Sequence, residues 1–212
     1  MCSAYPFLPP GAHIAYVNSD VYVGPNWASR LLSHFSWHDR IGAVAPLGRM
    51  IGGRQDVSAR LNGQLSDWPV IGETYSETDL VAINEYAKRA HPKAESTKSL
   101  QGTVLLVNRK LHDEIGGLDP NCILGADDAD YSLSARMAGY ELLVALDVFV
   151  WHDNHSSFNQ LSAVEGSTLI DRSWTYFNQK WAGRLPALSW EDLMENHEPT
   201  SLPPFAYHDY DC

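Results

Sequence analysis

The ten residues from Leu142 to Trp151, apolar apart from Asp147, constrain the fold more than any other stretch of this chain. A membrane-spanning helix needs about 20 apolar residues, so this run is too short to cross a bilayer. It reads instead as a buried core strand that begins near Glu141 and ends at His152. His13–Asn18, Ile41–Pro46 and Gln101–Asn108 are shorter apolar runs of the same character. Helical periodicity fills the intervals. Gly24-Pro25 opens a helix with Trp27, Leu31 and Phe35 on one face. Ser76 to Ala90 has an acidic first turn, Leu80, Ile83 and Ala87 on one face, and Pro92 as a stop. Lys110 to Ile115 closes on Gly116-Gly117, which suits a left-handed helix end. Two more helices are predicted, from Asp127 to Ala138 and from Ser167 to Trp181. Strand, helix, strand over residues 13–46 predicts a right-handed βαβ unit, hence an α/β fold with a mostly parallel sheet flanked by helices.

A chain of 212 residues suits one domain, here 1–185, followed by a Pro-rich extension, 186–212. Residues 47–76 form a long Gly-rich stretch of the kind that carries function in compact domains. The net charge of −11 excludes a nucleic-acid backbone as main partner, since only Arg49, Arg54 and Arg60 form a loose basic run. Cys2, Cys122 and Cys212 show no paired spacing, so neither a zinc knuckle nor a disulfide framework is indicated, and a reducing, cytoplasmic setting is expected.

Polar groups in α/β folds gather at the carboxyl ends of strands. Asp20, Asp128 and His152 each stand at or just after such an end. Asp20 is either a turn cap or a hard carboxylate ligand for Mg2+ or Mn2+. His152 is either an ordinary strand-end histidine or the nitrogen ligand of the same cation, a mixture that suits Mn2+ better than Mg2+. His155, three residues on, is at best a substrate contact. Asp127, Asp128 and Asp130 crowd the mouth of one helix, where the dipole favours negative charge although the acids repel one another. Residues 127 and 130 share a face and 128 diverges, so the three acids cannot play one part. One of them can serve as a general base toward an acceptor hydroxyl. Trp68, in the long loop, has the better claim to stack on a sugar ring, whereas Lys180 and Trp181 read as rim and core.

Asn18-Ser19-Asp20-Val21 with Pro25-Asn26-Trp27 resembles the "N-x-D…p-x-W" segment of family 2 glycosyltransferases with the GT-A fold. Ile115-Gly116-Gly117-Leu118-Asp119-Pro120 is similar to that family's "iGglDe" segment. Gly125 through Tyr131, with Arg136, Gly139 and Tyr140, resembles "g-x-E-D-x-D-l…R…aGy", and His152 through Phe158 resembles "H-x-g-s-x-S/T-F". Phe177 to Gly183 is similar to "F-x-x-K-W-g". The ordered motifs span residues 11–183 and look rhamnosyltransferase-like, though they specify the family better than the sugar.

The resemblance implies an inverting transfer from a nucleotide-sugar donor to a glycan, lipid-linked or small-molecule acceptor, with Mn2+ or Mg2+ as cofactor. It implies Asp128 as catalytic base, with Asp127 where Glu is usual, Asp20 and His152 at the metal, and Asn18 where the first acid of the metal motif often stands. Asn18, Trp68, Asp130 and His155 are the expected substrate contacts. A lipid-linked acceptor implies a chain peripheral to the membrane. In the family, about three strands and two helices that bind the nucleotide normally come before the Asn18–Asp20 segment. Only about ten residues precede the first strand here, so an N-terminally truncated GT-A-like domain is expected, with a homo-oligomer or a second chain completing the fold. The alternative is a non-catalytic sugar- or partner-binding remnant of a glycosyltransferase. A metal-assisted hydrolase ranks lower, because no motif suggests an activated water.

Overall fold

A computed structural model describes residues 8–57, 72, 74–153 and 163–182 of the chain. Trp68, His155 and the extension 186–212 lie outside the described residues. The first apolar run gives β1 (Ile14–Val17), and a second short strand, β2 (Val21–Val23), follows after three residues. Helix α1 (Trp27–His34) leads to β3 (Ile41–Gly48), which is buried along its whole length. Beyond a 3-10 turn at Gly53–Gln55 comes α2 (Glu77–Ala87), whose cap residue Ser76 accepts a hydrogen bond at Oγ from the Asp79 amide, 3.2 Å away. Strands β4 (Ala94–Thr97) and β5 (Val104–Val107) precede α3 (Arg109–Ile115), which ends on Gly116 in the left-handed region at φ 82°. Helix α4 (Asp127–Met137), the long strand β6 (Glu141–His152) and α5 (Ala163–Trp181) complete the chain's described elements.

The strands form one six-stranded sheet in the order β1-β5-β3-β6-β2, with β4 also paired to β6. The sheet is mixed, but the expected parallel majority is not found: β3·β6 is the parallel pair, and β1·β5, β3·β5, β2·β6 and β4·β6 are antiparallel. The βαβ expectation was right about direction and wrong about neighbours. β1 and β3 point the same way, yet β5 lies between them and runs opposite to both. A helical connection between two apolar runs constrains their relative direction; which strand fills the gap depends on chain that arrives only at Val104, long after β3 ends at Gly48, which no local pattern encodes. β2 and β4 had no sequence signal. One is three residues long, and the other, Ala-Glu-Ser-Thr, is too polar to read as core although Ser96 and Thr97 are buried.

Side chains alternate across the sheet into two apolar layers. Ala43, Ala45, Leu47, Leu105, Val107, Leu142 and Val144 pack with Leu80 and Ile83 of α2, Leu111 of α3 and Tyr131 and Ala135 of α4. Ile41, Val44, Leu106, Leu143, Ala145 and Val150 pack with Leu31 of α1 on the other face. Between Pro46/Leu47 of β3 and Ala145/Phe149 of β6 the register slips, because β6 carries extra residues there. Asp147, the one charge in the long apolar run, occupies this bulge and meets Nε2 of buried His34 at 3.1 Å. A third apolar cluster, Cys122, Ala126, Ala129, Leu133, Phe177 and Trp181, fastens α5 to α4.

Candidate active site

The topology explains why one end of the sheet collects functional groups. β1 and β2 lie at opposite sides of the strand order, so the three residues Asn18–Asp20 carry the chain across the carboxyl ends of β3 and β6 and the start of β5. The Asn18 amide donates to the Thr103 carbonyl (3.0 Å), and the Asp153 amide donates to the Asp20 carbonyl (2.9 Å). Val21 is in register with His152. Asp20 and His152, 132 positions apart in sequence numbering, are thereby brought together, with Oδ1 of Asp20 3.4 Å from Nε2 of His152. Both side chains are largely buried, at 9 % and 11 % exposure. Asn18 also lies on this segment but its side chain is exposed.

The loop before β5 links this turn to the acidic helix. Gly102 donates its amide to Oδ2 of Asp128 (3.1 Å), and the other carboxylate oxygen of Asp128 accepts from the Ala129 amide (2.7 Å). Gln55 holds the same loop from the other side: its Oε1 accepts from the Gln101 amide at 2.6 Å, and its Nε2 donates to the Pro46 carbonyl at 3.3 Å. Residues 101–103 therefore tie together the helix carrying Asp128, the Asn18–Asp20 crossing and the end of β3. Burial, and next the neighbouring charge of Asp127, push the Asp128 carboxyl up to about 6 despite the stabilising amides. Asp127 is also raised, again by burial first.

Asp130 does not join them. It is 2 % exposed, and its two oxygens accept hydrogen bonds from Lys180 Nζ (2.8 Å) and Trp181 Nε1 (2.9 Å). Its side chain is an anchor between α4 and α5, and the expected substrate contact there has no support in its surroundings. Sequence reasoning also overlooked Gln55, Gln101 and Gly102. Their amide contacts are local consequences of the fold, and only the lone Gly102 just ahead of a Val/Leu run hinted at a tight approach. Beside His152, Tyr22 stacks on Tyr75 with centroids 3.8 Å apart, and Tyr75 meets the edge of buried Trp151 at 6.1 Å.

An acid titrating near 6 can take a proton from a hydroxyl near neutral pH. The Asp20–His152 pair offers one hard oxygen and one imidazole nitrogen, a donor set that fits Mn2+. Nδ1 of His152 is a buried polar atom without a hydrogen-bond partner among the described residues. No cluster of three or more His, Cys, Asp or Glu suited to a metal occurs among the described residues. A cation held by Asp20 and His152 would need further ligands, such as the phosphate oxygens and waters that Mg2+ and Mn2+ commonly take.

The profile of the family described as "Glycosyltransferase like family 2" matches residues 12–164, and the chain belongs to that glycosyltransferase family. Among solved structures, it is similar to the crystal structure of GalNAc-T7 with UDP, GalNAc and Mn2+, at 15 % identity and a TM-score of 0.46. That similarity covers 86 % of this chain and 36 % of the other, so this chain spans well under half the length of that protein. No curated protein matches the sequence. Among the described residues, no helix is long and apolar enough to cross a membrane.

Proposed function

We propose that this chain transfers a hexosyl or deoxyhexosyl group from a nucleotide-sugar donor to a hydroxyl of a glycan, lipid-linked or small-molecule acceptor, with inversion. The observation that carries the reading is Asp128: a carboxylate at the first turn of α4, aligned by the Gly102 amide, with its proton affinity raised to about 6. Membership in glycosyltransferase family 2 supplies the reaction class.

In this mechanism the acceptor hydroxyl lies against Asp128, which takes its proton as the oxygen attacks the anomeric carbon. The bond from that carbon to the diphosphate oxygen breaks in the same displacement, so the configuration inverts and no sugar is attached to the protein. Asp127 adds negative charge beside the base and keeps it proton-hungry. Asp20 and His152 hold the divalent cation, Mn2+ or Mg2+, which when bound offsets the charge arising on the leaving diphosphate. Asn18, on the same crossing segment, faces the donor; Trp68 remains the proposed platform for a sugar ring and His155 a proposed substrate contact. Association with a second copy or another chain is part of the same proposal.

The test is calorimetric titration with UDP, GDP and dTDP, each with and without Mn2+, followed by product analysis with the nucleotide sugar that binds. Metal-dependent binding of one nucleotide and an inverted product support the proposal. Absence of binding by all three overturns it in favour of the sugar- or partner-binding remnant.

A further inference from the structure

The contacts of Lys180 reach beyond helix packing. Its ammonium lies 2.8 Å from Oδ2 of Asp130, on α4, and 2.9 Å from Oδ2 of Asp119, in the loop after α3. Trp181 Nε1 takes the other oxygen of Asp130 at 2.9 Å, and Tyr176 donates its hydroxyl to Asp119 at 3.0 Å. The remaining oxygen of Asp119 accepts from the Asn121 amide and from Asn121 Nδ2, both at 3.0 Å. Consecutive residues of the last turn of α5 thus grip one carboxylate that sits in the same first helical turn as Asp127 and Asp128. The Lys180 side chain is 24 % exposed and that of Asp130 3 %, so the charges meet with little solvent between them.

We propose that Lys180 is a positioning residue for transfer: by bridging Asp119 and Asp130 it fixes the first turn of α4 against α5 and cancels the charge of Asp130, so that Asp128 keeps the proton affinity of a base. This rests on Asp128 being the base. Asp130 faces Asp127 from its own helix, Asp119 and Cys122 from the preceding loop, and Lys180 and Trp181 from α5. Of these only Lys180 is cationic. Burial pushes the Cys122 thiol up to about 12, so it is neutral; burial would raise Asp119, but the hydrogen bonds from Lys180, Asn121 and Tyr176 outweigh it and hold that carboxyl down at about 2. Desolvation alone would lower Lys180, and its two carboxylates reverse the sign. The Asp130 charge helps to raise Asp127, and the Asp127 charge helps to raise Asp128, so uncompensated negative charge in this turn works upward on both neighbouring acids. With Lys180 neutralised, the neutral Trp181 donor still bonds Asp130, but none of these groups offsets its negative charge.

The experiment compares wild type, Lys180→Met, Lys180→Arg, Asp130→Asn and the double variant Lys180→Met/Asp130→Asn. Two readouts are taken: the acidic limb of kcat/KM against pH, and the pH titration of the Asp127 and Asp128 side-chain carboxyl carbons by NMR. Lys180→Met is expected to move both to higher pH, on the order of one unit, since removing a nearby opposite charge has effects of that size. Transfer then falls several-fold at about pH 6 and recovers at higher pH. Lys180→Arg and the double variant are expected to restore the wild-type limb. A folded Lys180→Met protein with an unmoved limb, or one uniformly slower at every pH, overturns the proposal. If Lys180→Met does not fold, Asp130→Asn decides: the limb moves to lower pH, or the proposal fails. If the wild type transfers no sugar, the proposed function has failed, and the carboxyl titration still decides whether Lys180 tunes the acids.

Discussion

Asp128 combines a demand for stability with a demand for function, and the two oppose each other. Its folded carboxyl titrates at about 6 against 3.8 for an unperturbed one. Between those values the native chain binds more protons than the unfolded chain, so stability falls as pH rises through that window and the loss persists above it. Asp128→Asn is expected to raise thermal stability at about pH 7 by up to about 3 kcal/mol and to leave it unchanged at about pH 3.5. The same substitution is expected to cut transfer by at least about 100-fold with donor binding nearly intact. Thermal melts at the two pH values and single-turnover assays check both arms. Asp20→Ala is expected to weaken metal-dependent nucleotide binding by about 10–100-fold while leaving metal-free binding unchanged, as read by titration calorimetry. The pairing of Asp20 with His152 was anticipated from their positions after strand ends. The parting of Asp130 from Asp127 was not, because three neighbouring acids look alike until an opposing helix takes one of them.

Among the elements, helix ends were the easiest to read. Ser76, Gly116 and Pro92 declare their roles through local chemistry, and the structure places the helix boundaries within a few residues of the expected ones. Asn108 does more than cap α3: its Oδ1 accepts from the Lys110 amide at 2.9 Å, and its Nδ2 donates to the Ile41 carbonyl at 3.0 Å within the sheet. Ser76→Ala is expected to cost about 1 kcal/mol. Asn108→Ala is expected to cost roughly 2–3 kcal/mol, because it also leaves a buried carbonyl without its donor. Urea denaturation of the two variants measures the difference, and equal costs would show that the bond to Ile41 contributes nothing.

At the scale of the whole molecule, the excess of acid over base argues against a nucleic-acid backbone as partner and makes a cation the natural companion of an anionic donor. Mn2+ with the correct nucleoside diphosphate is expected to stabilise the chain by about 2.7 kcal/mol at a hundred times its Kd. Either component alone is expected to give a much smaller shift in Tm, and Asp20→Ala is expected to abolish the joint effect; thermal shift assays check this. What the sequence by itself determined is local or translational along the chain: helix faces, caps, the buried character of residues 142–151, and the ordered motifs that mark the family. Periodicity of about 3.6 or 2 residues and turn chemistry act over short distances, so they are legible in one dimension. Tertiary structure alone decided that β5 inserts between β1 and β3, that Asn18–Asp20 bridges the end of the sheet, that Gly102 aims Asp128, and that Lys180 claims Asp130. Each of these is a contact between segments tens of residues apart, chosen by which surfaces can be buried together, and no short-range pattern records that choice.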